Sequence, residues 1–140
     1  MTSGAPSKGN RVMTTGVVGM DEVHRDMFAQ MNGLLTGSDS DVAQGMGKLV
    51  ALMEQDFREE EALMERISYP GLRQHMEQHA RVMGALNRIE AGDVPAARAA
   101  LVLLPQWFEM HLATLDTALA VAIGIAESDG PLGPARGRLE

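Results

Sequence analysis

Apolar residues recur along this chain every three or four positions, and nowhere in the strict alternation of a half-buried strand. Val23, Met27, Met31 and Leu34 make a first helical stripe, with Asp21 as N-cap and an end near Thr36. Gly37-Ser38-Asp39-Ser40 interrupts the pattern. Val42, Met46, Leu49, Met53 and Phe57 form a second stripe, in a helix from near Asp41 to Arg66, and Glu60 continues it. Gly45 and Gly47 weaken the first turns of that helix. Ser68-Tyr69-Pro70 is a break, with Pro70 suited to opening a third helix. Leu72, His75, His79, Val82 and Leu86 share one face of that helix, which ends at Ala91-Gly92. Asp93 caps a fourth, which tolerates Pro95 in its first turn and runs to near Glu127. Pro105 inside it is expected to kink or divide it, because proline lacks the N–H and crowds the preceding turn.

Four amphipathic helices joined by short loops predict an all-α, up-down-up-down four-helix bundle over residues 16–127. Residues 1–15, rich in Ser, Thr and Gly, read as a flexible N-terminal arm. Residues 128–140, with Gly130-Pro131 and Gly133-Pro134, read as a loose tail.

Composition narrows the chemistry. A length of 140 residues fits one domain. Only 4% of residues are aromatic, so Leu, Val, Ala and the eleven Met must fill the core. A net charge of −7, with Lys8 and Lys48 the only lysines, argues against a nucleic-acid partner. Without cysteine, any metal must be held by nitrogen and oxygen donors. Met1–Asn10 has no apolar core of a secretory signal. The apolar run Leu112–Ala126 is short for a bilayer and contains Asp116. These features predict a cytoplasmic protein with no membrane partner.

The chain has four histidines: His24, His75, His79 and His111. Taken singly, His24 would be a structural histidine, and Glu59-Glu60-Glu61 a solvated acidic run; that reading is kept for Glu59 and Glu61. The Met stripe is core, without a copper role. Together the positions say more. His75/His79 and Asp56/Glu60 are i, i+4 pairs, so each pair projects to one side, and both lie on apolar faces. His24 lies on the inner stripe of the first helix. His111 and Asp116 are five apart, about 140° around an α-helix, and would reach one centre from its two sides. Seven inward donors from four helices would be costly to bury uncompensated, and a pair of divalent cations offsets that cost. A mixed nitrogen and oxygen set of this size suits iron or manganese better than tetrahedral zinc.

Several motifs in order resemble the hemerythrins, bacterial hemerythrin-like domains in particular. Gly16-Val17-Val18-Gly19-Met20-Asp21-Glu22-Val23-His24 is similar to the family's entry into its first helix. Asp56-Phe57-Arg58-Glu59-Glu60-Glu61-Ala62-Leu63-Met64 resembles its second-helix motif. Tyr69-Pro70 followed by His75 and His79 resembles the third, and Trp107, His111 and Asp116 the fourth. The resemblance runs from about Gly16 to Leu119. It implies two iron ions cycling between Fe2+ and Fe3+, oxo- or hydroxo-bridged, that bind O2 reversibly; manganese is the alternative metal. It implies that His75, His79 and His111 bind one iron, that Glu60 and Asp116 bridge, and that His24 binds the second iron, where O2 enters. It implies an apolar O2 pocket formed by Phe57, Trp107 and Leu112.

One position departs from the family. Asp56 stands where a second histidine on the O2-binding iron is expected, and the flanking motif fixes the register. Aspartate is shorter, anionic and a hard donor. It can ligate directly if the second helix moves inward, ligate through a water, or leave the second metal more open. Added negative charge favours the ferric state, so faster autoxidation and a shorter-lived O2 complex are expected.

Three functions fit: O2 storage, delivery or sensing; a di-iron oxidase, peroxidase or NO-reactive enzyme; and a redox sensor module serving a signalling partner or attached domain. The first is preferred over a dedicated enzyme.

Overall fold

The computed structural model describes residues 18–132, and side chains for residues 19–128. The predicted arm, and Gly16-Val17 of the entry motif, lie outside the described residues. Helices α1 (Val18–Leu35), α2 (Asp39–Arg66) and α3 (Leu72–Asn87) are followed by α4 (Val94–His111), a π-helical turn (Leu112–Asp116) and α5 (Thr117–Leu132). The last three follow one another without a loop and act as one long fourth rod, so the molecule is an all-α four-helix bundle. Helix α2 packs on α1, α3 and α4, and α1 also packs on α4.

Several helix ends differ from the sequence expectation. α1 starts at Val18, which puts Asp21 in its first turn, near the positive end of the helix dipole. α2 starts at Asp39 because Ser38 caps it. The Ser38 hydroxyl accepts from the Asp41 N–H at 3.1 Å, and the Asp41 carboxylate accepts from the Ser38 N–H at 3.2 Å. α3 opens at Leu72 with Gly71 as N-cap, so Pro70 lies just ahead of the helix and does not open it. α3 stops at Asn87, and Gly92 takes φ +85° in the following turn, a conformation open to glycine. Asp93 caps α4 as expected, accepting from Ala96 N–H at 3.1 Å. Gly45, read as a weak point, allows close packing: a Cβ there would lie 2.6 Å from Leu34 Cδ2.

Pro105 neither divides nor ends its helix. It is half-buried, and the loss of one backbone bond is absorbed within a long, well-packed rod. The rod continues past Glu127 to Leu132, into the segment read as a tail. Its Val94–Ser128 stretch is long and apolar enough to cross a membrane, by length and composition only. One side of it is bundle core, while Val102, Leu103, Met110, Val121 and Ile125 are exposed on the other.

The core has two parts. A large cluster includes Met27, Met31, Leu49, Met53, Phe57, Leu101 and Phe108; a smaller one holds Met20, Met64, Leu119 and Ile123. On each helix the candidate ligands fall at the junction between these clusters. Apolar side chains therefore lie on both sides of a polar layer.

Candidate metal centre

That layer gathers all seven predicted donors. α1 supplies His24, α2 supplies Asp56 and Glu60, and α3 supplies His75 and His79. The fourth rod supplies His111 and Asp116. None is more than 4% exposed. The i, i+4 spacing on α2 and α3 aims both members of each pair inward, as helical geometry requires.

The donors form two groups that share carboxylates. In the first, His111 Nε2 lies 3.1 Å from His75 Nε2 and 3.3 Å from His79 Nε2. Glu60 Oε1 is 3.4 Å from His75 Nε2 and 3.3 Å from His79 Nε2. Asp116 Oδ1 is 2.9 Å from His75 Nε2 and 3.2 Å from His111 Nε2. In the second group, His24 Nε2 faces Glu60 Oε2 at 3.3 Å, Asp116 Oδ2 at 3.5 Å and Asp56 Oδ2 at 3.6 Å. Glu60 and Asp116 thus turn one oxygen to each group, the arrangement of a carboxylate that spans two metal positions.

The π-helical turn explains how His111 and Asp116 cooperate, and it corrects the angular expectation. A regular α-helix would set them about 140° apart. An i→i+5 turn instead brings the fifth residue back close to the first. The Thr117 N–H bonds to the Leu112 carbonyl across that wider turn, and the Thr117 hydroxyl donates to the same oxygen at 2.6 Å. Thr114 donates its hydroxyl to the Met110 carbonyl at 2.7 Å. His111 Nε2 and Asp116 Oδ1 therefore meet at 3.2 Å in one donor group.

The layer around the donors contains residues that the sequence did not reveal. Glu61, read as a solvated acid, is 24% exposed and accepts a hydrogen bond from His79 Nδ1 at 2.9 Å. Gln78 Oε1 accepts from His111 Nδ1 at 3.1 Å. These bonds put the proton on Nδ1 and leave Nε2 with its lone pair, as a metal-binding imidazole requires. The Phe57 ring stacks on His79 at 3.8 Å and Trp107 on His111 at 4.6 Å. Of the predicted pocket residues, Phe57 and Trp107 therefore cover the three-histidine group, and Leu112 is fully buried beside them in the large cluster. Phe108 is the aromatic neighbour of His24, with ring centroids 6.2 Å apart. Its regular core spacing on α4 gave no signal of this role.

The electrostatics reflect crowded charge. Burial alone would lower the pKa of His24, but contact with Asp56 and Glu60 and the field of Asp56 and Asp116 raise it to about 10. His75 is raised to about 9 because Asp116 and Glu60 outweigh the same burial effect. Burial raises Asp56 to about 6, against the opposing pull of His24. Burial would also raise Glu60, but His24, His75 and His79 hold it well below the usual carboxylate value.

Asp56 Oδ2, Glu60 Oε1 and both Asp116 oxygens are buried without a hydrogen-bond partner. Such atoms are costly to keep dry and anionic. Here they converge with imidazole nitrogens, so a cation that displaces the imidazole protons would satisfy both sets at once. Two overlapping donor groups have the closeness needed: Glu60, His75, His79 and His111, and His24, Asp56 and Glu60. The profile of the Hemerythrin HHE cation binding domain matches residues 15–122. The chain belongs to the hemerythrin family. It is 27% identical over 105 residues to a bacteriohemerythrin of Ralstonia nicotianae, covering 72% of this chain and 77% of that one. It is 29% identical over 98 residues to a myohemerythrin of Theromyzon tessulatum, covering 69% and 77%. No solved structure gave a significant match. Hemerythrin membership implies non-haem iron and O2 binding, and the buried donors fit a metal.

Proposed function

We propose that this hemerythrin-family chain holds a carboxylate-bridged di-iron centre and uses it to bind O2 for storage, delivery or sensing. His75, His79 and His111 hold one iron, His24 and Asp56 the other, and Glu60 and Asp116 bridge them. The observation that carries this reading is the division of Glu60 and Asp116, each with one oxygen toward two of the three clustered imidazoles and the other toward His24. Iron supplies the redox chemistry and the affinity for O2. The protein's part is to fix the donors and exclude water. Phe57 and Trp107 hold two imidazole planes by stacking, and Glu61 and Gln78 hold their tautomers. Phe108 and Leu112 keep the surroundings apolar, which suits a small uncharged gas.

Anaerobic iron loading followed by cycles of O2 and vacuum tests the reading. An O2-dependent visible absorption that returns over repeated cycles, with two irons per chain, is expected. A chain that retains iron but shows no reversible band is not an O2 carrier. Asp56 favours a second reading, an oxidase or peroxidase, because a buried third carboxylate stabilises ferric iron. Sustained consumption of O2 or peroxide with a reductant would identify that activity.

A further inference from the structure

The two halves of the centre differ chemically, and Asp56 makes them differ. One half gathers three imidazoles with one oxygen each from Glu60 and Asp116. The other gathers one imidazole, His24, with three carboxylates. We propose that manganese(II) competes with iron only at the His24–Asp56 half, so that the chain assembles a mixed iron–manganese pair when both ions are supplied. The proposal rests on the dinuclear reading above and adds metal selectivity to it.

Donor chemistry is the first support. Divalent affinity generally rises from manganese to iron, and imidazole suits iron, whereas carboxylate oxygen suits manganese. The three-histidine half therefore discriminates strongly for iron. Where oxygen replaces nitrogen, that margin narrows. Asp56 is 4% exposed, and its Oδ2 has no hydrogen-bond partner, so a hard cation is its natural counterpart.

Anchoring is the second, independent support. Two of the three imidazoles in the first half, His79 and His111, are fixed through Nδ1 by Glu61 and Gln78, while His75 Nδ1 has no partner. The Nδ1 of His24 has no hydrogen-bond partner, and its Nε2 stands 3.6 Å from Asp56. Outer hydrogen bonds of this kind set ligand orientation and metal affinity. The anchored half fills first and holds its ion; the less anchored, oxygen-rich half accepts a larger, less directional ion and exchanges it.

The test equilibrates the metal-stripped full chain anaerobically with enough iron(II) to fill both halves and with manganese(II) in excess over it. Metals per chain and the electron paramagnetic resonance of manganese are then measured. One iron and one manganese per chain are expected, with the manganese signal altered by magnetic coupling to iron. Asp56→Glu keeps the hard donor and should keep the manganese. Asp56→His should turn that half from manganese to iron, because it replaces an oxygen donor by an imidazole. Iron in both halves of the wild-type chain, an uncoupled manganese signal, or unchanged manganese in Asp56→His would each overturn the proposal. Should Asp56→His not fold, the wild-type signal and Asp56→Glu decide alone. A chain that retains no iron at its histidines contradicts the di-iron reading itself, a result distinct from iron filling both halves.

Discussion

At the scale of single residues, Asp56 has the largest consequence. It adds a buried carboxyl next to His24, Glu60 and Asp116, and the higher charge of ferric iron would offset its negative charge better than ferrous iron would. A unit charge about 4 Å away is worth about 4 kcal/mol at an effective dielectric of about 20, so Asp56→His is expected to slow autoxidation by roughly tenfold or more. The decay of the O2-dependent absorption measures it, and an unchanged rate refutes the charge argument. Glu61 acts from one layer further out. Glu61→Ala removes the acceptor from His79 Nδ1 and should weaken iron binding about ten- to a hundredfold. Glu61→Gln retains an acceptor and should recover most of it, as iron competition with a chelator would show. The seven donors were legible in the sequence because their side chains repeat at helical spacing on apolar faces. Glu61 was not, because an acid at the rim of a buried layer has the same sequence context as one in solvent.

At the scale of elements, the π-helical turn is the decisive local structure. The string from His111 to Asp116 predicts two ligands, and α-helical geometry then misplaces one of them. Nothing in Leu112-Ala113-Thr114-Leu115 announces a wider turn. The cause is tertiary: both ends of the segment are pulled to the same buried layer, while Thr117 satisfies the Leu112 carbonyl. Deleting Ala113, which is exposed, should close the wide turn to an α-helical one and leave Asp116 four residues after His111, still on the same face. The deletion variant is therefore expected to keep its helical circular dichroism and to bind two irons per chain. Loss of one iron would show that the wide turn itself, and not only the shared face, is needed. Helix boundaries were legible where a cap was unambiguous, as at Asp93, and missed by a few residues where Ser38 competed with neighbouring polar residues for that role.

At the scale of the whole molecule, four helices are held together around a polar layer that is unfavourable without metal. Because the folded pKa values of His24 and His75 are raised, to about 10 and about 9, the metal-free fold binds protons that the unfolded chain releases near 6.5. Their stabilisation is complete below 6.5 and is lost as pH rises through 9 to 10. The raised Asp56 acts in the same direction lower down, between 3.8 and about 6. The melting temperature of the metal-free protein should therefore fall as the solution is made alkaline. The loaded protein should be nearly insensitive over the same range, because metal binding displaces those protons. Parallel thermal melts of both forms check this, and a metal-free form that gains stability with rising pH contradicts it. The bundle itself was legible because the apolar period is helical throughout. The continuity of the fourth rod past Pro105 was not, since it depends on packing.

The most direct test of the dinuclear centre is anomalous scattering at the iron edge, from crystals loaded anaerobically with iron(II) alone. Two iron peaks are expected, about 3.5–4 Å apart as in other two-metal sites. Glu60 and Asp116 should lie between them, with Asp56 and His24 beside the second. A single peak among His75, His79 and His111, with Asp56 turned away from any metal, would contradict the account.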